Sequence, residues 1–275
     1  MKTVTSTFQS GDGVETAEAH FPVSPRPDFP SCGVFAFAKS GSVLVNAIVR
    51  ELMTEVGVPI IAWSAVWYER GIDMGTVQFD FTEAFPPYGY CLAGFRHVPN
   101  SFLGGAALRR LRKLMVVRDP RDMLVSRYFS TKFSHGFGVR GTPQYAQAMR
   151  RVIEDSGMDI DRYCMFHSWV VNADFSLHRD IIADPQTLIL KYEDFVYDKR
   201  HLASTICNWF GLDVPQERLS AIIAPYEAIP IAERPDQHVR QAHPGDYQRK
   251  LKPETIATLN GVLDKYMVTF GYTSG

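Results

Sequence analysis

The sequence predicts an α/β sandwich, in which helices flank a central parallel sheet. Short, buried apolar runs alternate along the chain with segments whose apolar residues recur at helical spacing. The 275 residues, of which 45% are hydrophobic and 21% charged, suffice for one large core. Several of the apolar runs end in polar or basic turns, where an open parallel sheet binds its ligands. We expect a single domain over residues 31–275, preceded by an N-terminal arm.

Composition argues against several classes of function. A formal net charge of −1 gives no general attraction for nucleic acid, so any anion site must be local. The four cysteines lie in apolar runs without a C-x-x-C pair, so we expect reduced core thiols and neither a disulfide framework nor a zinc site. No run has the character of a signal peptide or the length of a membrane span. We expect a cytoplasmic protein without a metal centre.

The first elements surround a polar turn. Residues 1–30 are polar and rich in proline, so we expect a loose arm. The run from Gly33 to Ala38 predicts a buried strand. Apolar residues at Leu44, Ile48 and Leu52 then predict one face of a helix that ends near residue 56.

The turn between this strand and helix is Lys39-Ser40-Gly41-Ser42. The free N–H groups and the positive dipole end of the helix suit an anion there, most naturally a phosphate. Lys39 adds a full charge, and the hydroxyls of Ser40 and Ser42 add donors. An ordinary serine-capped turn is the alternative. The turn lacks the G-x-x-x-x-G-K-[ST] pattern, which favours a ligand other than ATP with magnesium.

A basic pair follows a later strand. Residues 59–63 predict a short second strand, and the aromatic-rich residues 64–90 form either an acceptor-pocket wall or core filling. Residues 90–95 predict a third strand that ends in Arg96 and His97. Histidine is the side chain best suited to act as a base near neutral pH, although a structural histidine is the alternative.

The next strand also ends in a polar turn. Residues 108–113 predict a helix end, and the strand that begins at residue 114 leads to Arg118. Pro120 and Asp122 open a helix in which Ser126 lies about two turns along. Arg118 and Ser126 could therefore bind one phosphate, whereas an arginine paired with Asp119 or Asp122 is the alternative.

The rest of the chain predicts scaffold and one loop. Residues 143–180 predict helix, with Phe166, Trp169 and Val170 packed on one face, and residues 187–191 predict a strand. Further helices are predicted over 201–210, with Gly211 as its C-cap, over 215–224, and from Pro253 to about residue 270. The basic segment 228–250 predicts a mobile loop able to close over an anionic ligand.

Five segments, in this order, resemble motifs of the sulfotransferases that use 3′-phosphoadenosine 5′-phosphosulfate (PAPS). The resemblance runs from about residue 33 to residue 251. The family's motifs are P-K-S-G-T-T-W, K-T-H-L-P, R-[ND]-P-[KR]-D with a serine eight residues after the arginine, Y-E-D, and a late R-K-G-x-x-G-D-W-K loop. The matching segments here are Ala38–Leu44, Phe95–Pro99, Arg118–Asp122 with Ser126, Tyr192–Asp194, and Arg240–Gln248.

The resemblance implies a P-loop-like three-layer sandwich, PAPS as the sulfuryl donor and PAP as the product. It implies that His97 is the catalytic base and that Lys39 assists the reaction. By position in the matching motifs, the implied cofactor-binding residues are Lys39, Ser40, Gly41, Ser42, Val43, Leu44, Arg118, Ser126, Tyr192, Arg240, Gln241 and Ala242. No metal ligand is implied.

The sequence departs from the family's motifs at several positions. Val43 and Leu44 replace a threonine and a tryptophan, Phe95 replaces a lysine, and Ala242 replaces a glycine. The family's dimer signature is not preserved over residues 248–257, so no dimer is predicted from the resemblance.

The expected reaction is transfer of a sulfuryl group to a hydroxyl, or to an amine, of a small-molecule acceptor. The acceptor itself is left open. Two alternatives remain at this point. One is a P-loop-like kinase that uses ATP and therefore needs magnesium. The other is a non-catalytic nucleotide-binding scaffold.

Overall fold

A five-stranded parallel sheet forms the centre of the protein. The computed structural model describes residues 1–10, 13–62, 67, 72, 77–79, 86–96, 98, 102–103, 105–134, 143–228 and 242–273. The described strands are β1 (Lys2–Ser10), β2 (Gly13–Phe21), β3 (Cys32–Ala36), β4 (Ile60–Ile61), β5 (Gln78–Phe79), β6 (Cys91–Phe95), β7 (Arg112–Val117) and β8 (Thr187–Lys191). The central sheet has the order β4-β6-β3-β7-β8. The predicted α/β class with a parallel sheet is confirmed.

Helices cover both faces of this sheet. The described α-helices are α1 (Ser42–Glu55), α2 (Ala106–Arg110), α3 (Pro120–Phe129), α4 (Pro143–Ser156), α5 (Ile160–Leu177), α6 (Arg179–Ala183), α7 (Tyr192–Phe195), α8 (Lys199–Phe210), α9 (Gln216–Ile223), α10 (Tyr247–Lys250), α11 (Pro253–Val262) and α12 (Asp264–Phe270). A π-helical turn follows α3 at Ser130–Ser134. Helices α1, α8 and α9 contact one another. Helix α5 contacts both α3 and α11.

The middle strand β3 shows how the sequence builds three layers. Val34 and Ala36 belong to a core cluster shared with α1 and α8, whereas Phe35 and Phe37 belong to a second cluster shared with α3, α5 and α12. Successive side chains of a strand point to opposite faces. Because both faces of β3 are covered, its residues are apolar without alternation, as in buried parallel strands.

The N-terminal segment is not a loose arm, so that expectation was wrong. Strands β1 and β2 pair antiparallel from Lys2–Phe21 to Ser10–Gly13, and β1 also pairs with β5. Val4 and Phe21 are buried in the core. The chain just after β2 is held as well, because the Tyr90 hydroxyl donates a hydrogen bond to the Pro22 carbonyl at 3.1 Å. Whether residue 30 marks a domain boundary stays a prediction.

The structure corrects one prediction of helix packing. The predicted helical segment 143–180 is divided into α4, α5 and the start of α6. Val170 of α5 is buried as expected, but Phe166 and Trp169 are 59% and 56% exposed, so their predicted inward packing was wrong. The predicted closing helix is two helices that meet at Leu263.

Other predictions have mixed outcomes. All four cysteines are free and buried, as predicted. In the aromatic connection Trp67 is buried and Tyr88 is exposed, while most of its other aromatic residues lie outside the described residues. Among the described residues, no helix has both the length and the apolar character to cross a membrane. Location in the cytoplasm stays a prediction.

Candidate active site

The turn between β3 and α1 has a strained, braced backbone. Lys39 has φ 71°, a left-handed conformation that non-glycine residues adopt at a cost of about 1–2 kcal/mol. The Ser40 backbone N–H and hydroxyl both donate to the Phe37 carbonyl, at 3.3 and 2.7 Å. Helix α1 then begins at Ser42. Its first N–H groups have no partner within the helix, so the turn presents donors and a positive dipole end.

Gly41 lets another segment approach this turn closely. It has φ 89°, and a Cβ atom built on it would lie 2.7 Å from Cδ2 of Tyr192. Tyr192 directly follows β8 and is buried. Its hydroxyl donates a hydrogen bond to the Ala242 carbonyl at 2.6 Å. Burial raises the pKa of Tyr192 to about 12, so this hydroxyl stays protonated at neutral pH. Three segments distant in sequence therefore meet at the Tyr192 ring.

Arg118 lies beside the same turn because β7 is the neighbour of β3 in the sheet. Its Nη1 donates to the Lys39 carbonyl at 3.5 Å, and its guanidinium lies 4.3 Å above the centre of the Tyr192 ring. Only 6% of Arg118 is exposed. Its Nε–H is buried and has no hydrogen-bond partner among the described residues. The structure thus brings two of the predicted anion-binding features together.

Asp122 connects Arg118 to the late loop, a role that the sequence analysis missed. Its carboxylate lies 3.4 Å from Nη2 of Arg118 and accepts the backbone N–H groups of Gly245 and Tyr247, at 2.8 and 3.0 Å. Burial raises the pKa of Asp122, while Arg118 and the two N–H donors oppose that rise. The sequence signal was an acidic residue in the first helical turn behind Arg118.

The second arginine of the motif has a structural role. Arg121 pairs with Asp119 at 2.7 Å and donates to Asn260 and to the Thr273 carbonyl, at 2.8 and 2.9 Å. It also lies 4.1 Å above the ring centre of Tyr247. The alternative that an arginine pairs with Asp119 or Asp122 is therefore correct for Arg121, which fixes the C-terminal segment against α3. It also holds for Arg118, whose Nη2 lies 3.4 Å from Asp122.

The strand that leads to His97 ends next to the turn. The side chain of Arg96 donates from Nε to the Ser42 hydroxyl oxygen at 3.1 Å. The Gly94 N–H donates to the Asn46 side chain of α1 at 3.2 Å. These contacts hold the carboxyl end of β6 against the start of α1. His97 itself lies outside the described residues, as do Arg240 and Gln241.

The remaining predicted residues are distributed around the turn. Ser126 is half-buried in α3, and Val43 is 46% exposed on the first turn of α1. Leu44 packs against the core cluster shared by α1 and α8. Among the described residues, no group of three or more His, Cys, Asp or Glu side chains is arranged to hold a metal ion.

Comparison with protein families decides the classification. The family model described as "Sulfotransferase domain" matches residues 95–271. The chain belongs to the sulfotransferase domain family. No curated protein sequence matches this sulfotransferase-family chain.

Solved structures confirm the fold. A structure of mouse sulfotransferase SULT7A1 in complex with PAP superposes with a TM-score of 0.57 at 12% identity, covering 89% of this chain and 87% of that one. Retinol dehydratase with androsterone and inactive cofactor PAP gives 0.55 at 14% identity, covering 90% and 82%. Retinol dehydratase with retinol and PAP gives 0.55 at 13% identity, covering 96% and 90%. The P-loop-like sandwich predicted for this sulfotransferase-family chain is therefore confirmed.

The geometry of this family member suits an anion with more than one charged group. The Arg118 guanidinium lies beside the turn that carries Lys39 and leads into the positive end of α1, because Nη1 of Arg118 is 3.5 Å from the Lys39 carbonyl. Donors to charged acceptors form the stronger hydrogen bonds. Asp122 holds Arg118 from behind, and Tyr192 closes the site toward the late loop.

Proposed function

We propose that the protein transfers a sulfuryl group from PAPS to a hydroxyl, or to an amine, of a small-molecule acceptor. Membership of the sulfotransferase domain family supports this, as do structural neighbours that contain PAP. The observation that carries the proposal is the contact of Arg118 Nη1 with the Lys39 carbonyl at 3.5 Å. It supports the proposal because a guanidinium beside the turn that carries Lys39 suits the two phosphate groups of one nucleotide.

The described residues fit such a nucleotide. The buried Nε–H of Arg118 has no partner among them, and a buried donor in that condition costs about 1–3 kcal/mol. A phosphate oxygen would remove this cost. Gly41 has no side chain to obstruct the turn, and the N–H groups at the start of α1 supply donors for a second phosphate.

We assign roles by these features and by the motif positions. PAPS supplies a sulfuryl group on a 5′-phosphate that leaves as part of PAP. Lys39 and the N–H groups of residues 41–44 bind that 5′ end, and the Ser42 hydroxyl adds a donor. Ser40 braces the turn through Phe37. Arg118 and Ser126 select the 3′-phosphate. Tyr192 and the segment Arg240, Gln241 and Ala242 complete the nucleotide site.

His97 is the proposed general base. It accepts the proton of the acceptor hydroxyl, whose oxygen forms a bond to sulfur while the bond between sulfur and the 5′-phosphate oxygen breaks. Lys39 and the N–H donors stabilise the charge that develops on the departing oxygen. Contacts of Arg96 and Gly94 with α1 support the place of His97, because they hold the preceding strand end at the turn.

Nucleotide binding tests the proposal. We expect PAP to raise the melting temperature and ATP with magnesium to leave it nearly unchanged. Stabilisation by ATP with magnesium but not by PAP would favour a kinase and overturn the proposal. A screen of phenols, alcohols, amines and glycans should then give a sulfated product and an equal amount of PAP. If PAP binds and no acceptor in any of these classes turns over, the protein is a non-catalytic nucleotide-binding scaffold.

A further inference from the structure

One face of helix α5 (Ile160–Leu177) exposes large apolar side chains. All 18 residues of this helix are described. Tyr163, Cys164 and Val170 on its inner face are buried in the core. The outer face carries four large apolar residues: Met165 (41% exposed), Phe166 (59%), Trp169 (56%) and Leu177 (46%). Exposed apolar groups of this size in one contiguous face mark an interaction surface.

The middle of this face carries no charge. Between Met165 and Leu177 the ionisable residues of α5 are His167 and Asp174, and both are buried. Residue 262 at the end of α11 extends the apolar surface: its side chain is 45% exposed, and its carbonyl accepts the Asn172 amide at 2.8 Å. Since helical residues three, four, seven and eight apart share a face, Trp169, Ala173 and Leu177 lie in one row.

Charges are confined to the two ends of the face, and they are balanced. Asp159 and Arg162 lie exposed at the start of α5, and Arg179 and Asp180 lie exposed just beyond its end. Arg179 and Asp180 form only a weak surface pair, at 3.6 Å. A surface that binds anionic lipid would instead carry a cationic rim. A neutral apolar strip with one acid and one base at each end suits a copy of itself turned end for end.

We propose that this face pairs with the same face of a second copy of the chain, with the two α5 helices antiparallel around a two-fold axis level with residue 171. Such an isologous arrangement is the commonest form of soluble dimer. In this register Arg162 faces Asp180 of the second copy, because both positions lie nine residues from residue 171. Met165 then faces Leu177 of the second copy, and the large Trp169 faces the small Ala173. The proposal does not depend on sulfuryl transfer.

The size of the face indicates a weak dimer. An 18-residue helix is about 27 Å long and, with its side chains, about 10 Å wide. This footprint is smaller than the roughly 800 Å² per partner of a standard stable interface, even when Val262 is included. We therefore expect a weak dimer that forms only as the protein concentration rises.

Sedimentation velocity over a concentration series tests the dimer. We expect the wild type to shift from monomer to dimer as concentration rises, and the double variant Phe166→Ser/Trp169→Ser to stay monomeric. Val268→Ser is the matched control, because Val268 is 71% exposed on α12, and it should dimerise like the wild type. Melting curves show that the variants fold. A wild type that stays monomeric, or a double variant that dimerises equally well, overturns the proposal.

Cysteine cross-linking tests the antiparallel register. The four native cysteines are buried, so an introduced surface cysteine should be the reactive one. Chains with Met165→Cys, mixed with chains with Leu177→Cys, should form a mixed disulfide-linked dimer under mild oxidation. Chains with Val268→Cys should form at least tenfold less disulfide-linked dimer under the same conditions. Equal cross-linking through Val268→Cys, or none between the first two variants, would contradict the register.

Discussion

Arg118 should decide whether the site distinguishes a nucleotide with a 3′-phosphate from one without it. Arg118→Lys keeps the positive charge and removes the planar fork of N–H donors. Lysine cannot reproduce Nε–H together with two Nη groups. We therefore expect the variant to lose affinity for PAP while it keeps its affinity for 5′-AMP, which lacks the 3′-phosphate.

The magnitude follows from the donors that Arg118 has available. Of its five N–H groups, one reaches the Lys39 carbonyl and one reaches Asp122, at the long distances of 3.5 and 3.4 Å. The buried Nε–H has no partner among the described residues. A hydrogen bond to a charged group contributes about 1.5–3 kcal/mol, so losing one should weaken PAP about 10- to 150-fold. For 5′-AMP we expect a change of about twofold or less.

Isothermal titration of both nucleotides into wild type and variant measures this difference. Arg112→Lys is the control, because Arg112 lies at the opposite end of the same strand and contacts the Trp209 carbonyl. Its binding of PAP should equal that of the wild type. If Arg118→Lys weakens PAP and 5′-AMP by the same factor, Arg118 acts through the shape of the turn, and the assignment of the 3′-phosphate to Arg118 is wrong.

Three further predictions concern the base, the late loop and pH. His97→Ala should lower the rate of acceptor sulfation about 10²- to 10⁴-fold and leave PAP binding unchanged; full activity of this variant would remove His97 as the base. Asp122→Asn should loosen the segment around Gly245 and Tyr247, because it replaces a carboxylate that accepts both N–H groups. Hydrogen exchange of these two amides should accelerate about 10- to 100-fold. Unchanged protection would show that Asp122 does not hold this segment. Burial raises the pKa of Asp174 to about 6, so its folded-state ionisation opposes folding as pH rises through that value. Relative to wild type, the unfolding free energy of Asp174→Asn should therefore rise by on the order of 3 kcal/mol between pH 4 and pH 7, as measured by urea titration. If the difference between variant and wild type does not change with pH, the Asp174 carboxyl is not held in its neutral form by burial.

The central sheet could be predicted because its strands are apolar on both faces. An apolar run of this kind, followed by a helical pattern, can bury both of its faces only between two layers of helices. The N-terminal hairpin was missed because its composition is polar. Gly11 and Asp12 separate two runs of strand-forming residues, which is a hairpin signal, but the polar composition of the segment favours a loose arm over it. For α5, periodicity predicted the helix, but it could not tell which apolar face points inward.

The candidate site was predictable where a motif follows a strand. Lys39 and Arg118 were placed on one edge because parallel neighbours end at the same edge of the sheet. The contacts of Asp122 with residues 245 and 247 were not predictable, since no local pattern relates positions more than 120 residues apart in the chain. The same holds for the contact between Tyr192 and Ala242, which depends on how the late segment returns to the sheet.

The close fit of Gly41 against Tyr192 has a consequence for how this chain can diverge. A methyl group at position 41 would displace the aromatic ring, and the ring's hydroxyl is what secures the carbonyl of Ala242. A relative with a bulkier residue at the first position should therefore carry a smaller side chain at the second and a differently anchored late segment. Positions 41, 192 and 242 should therefore coevolve, although about 150 residues separate the first from the second.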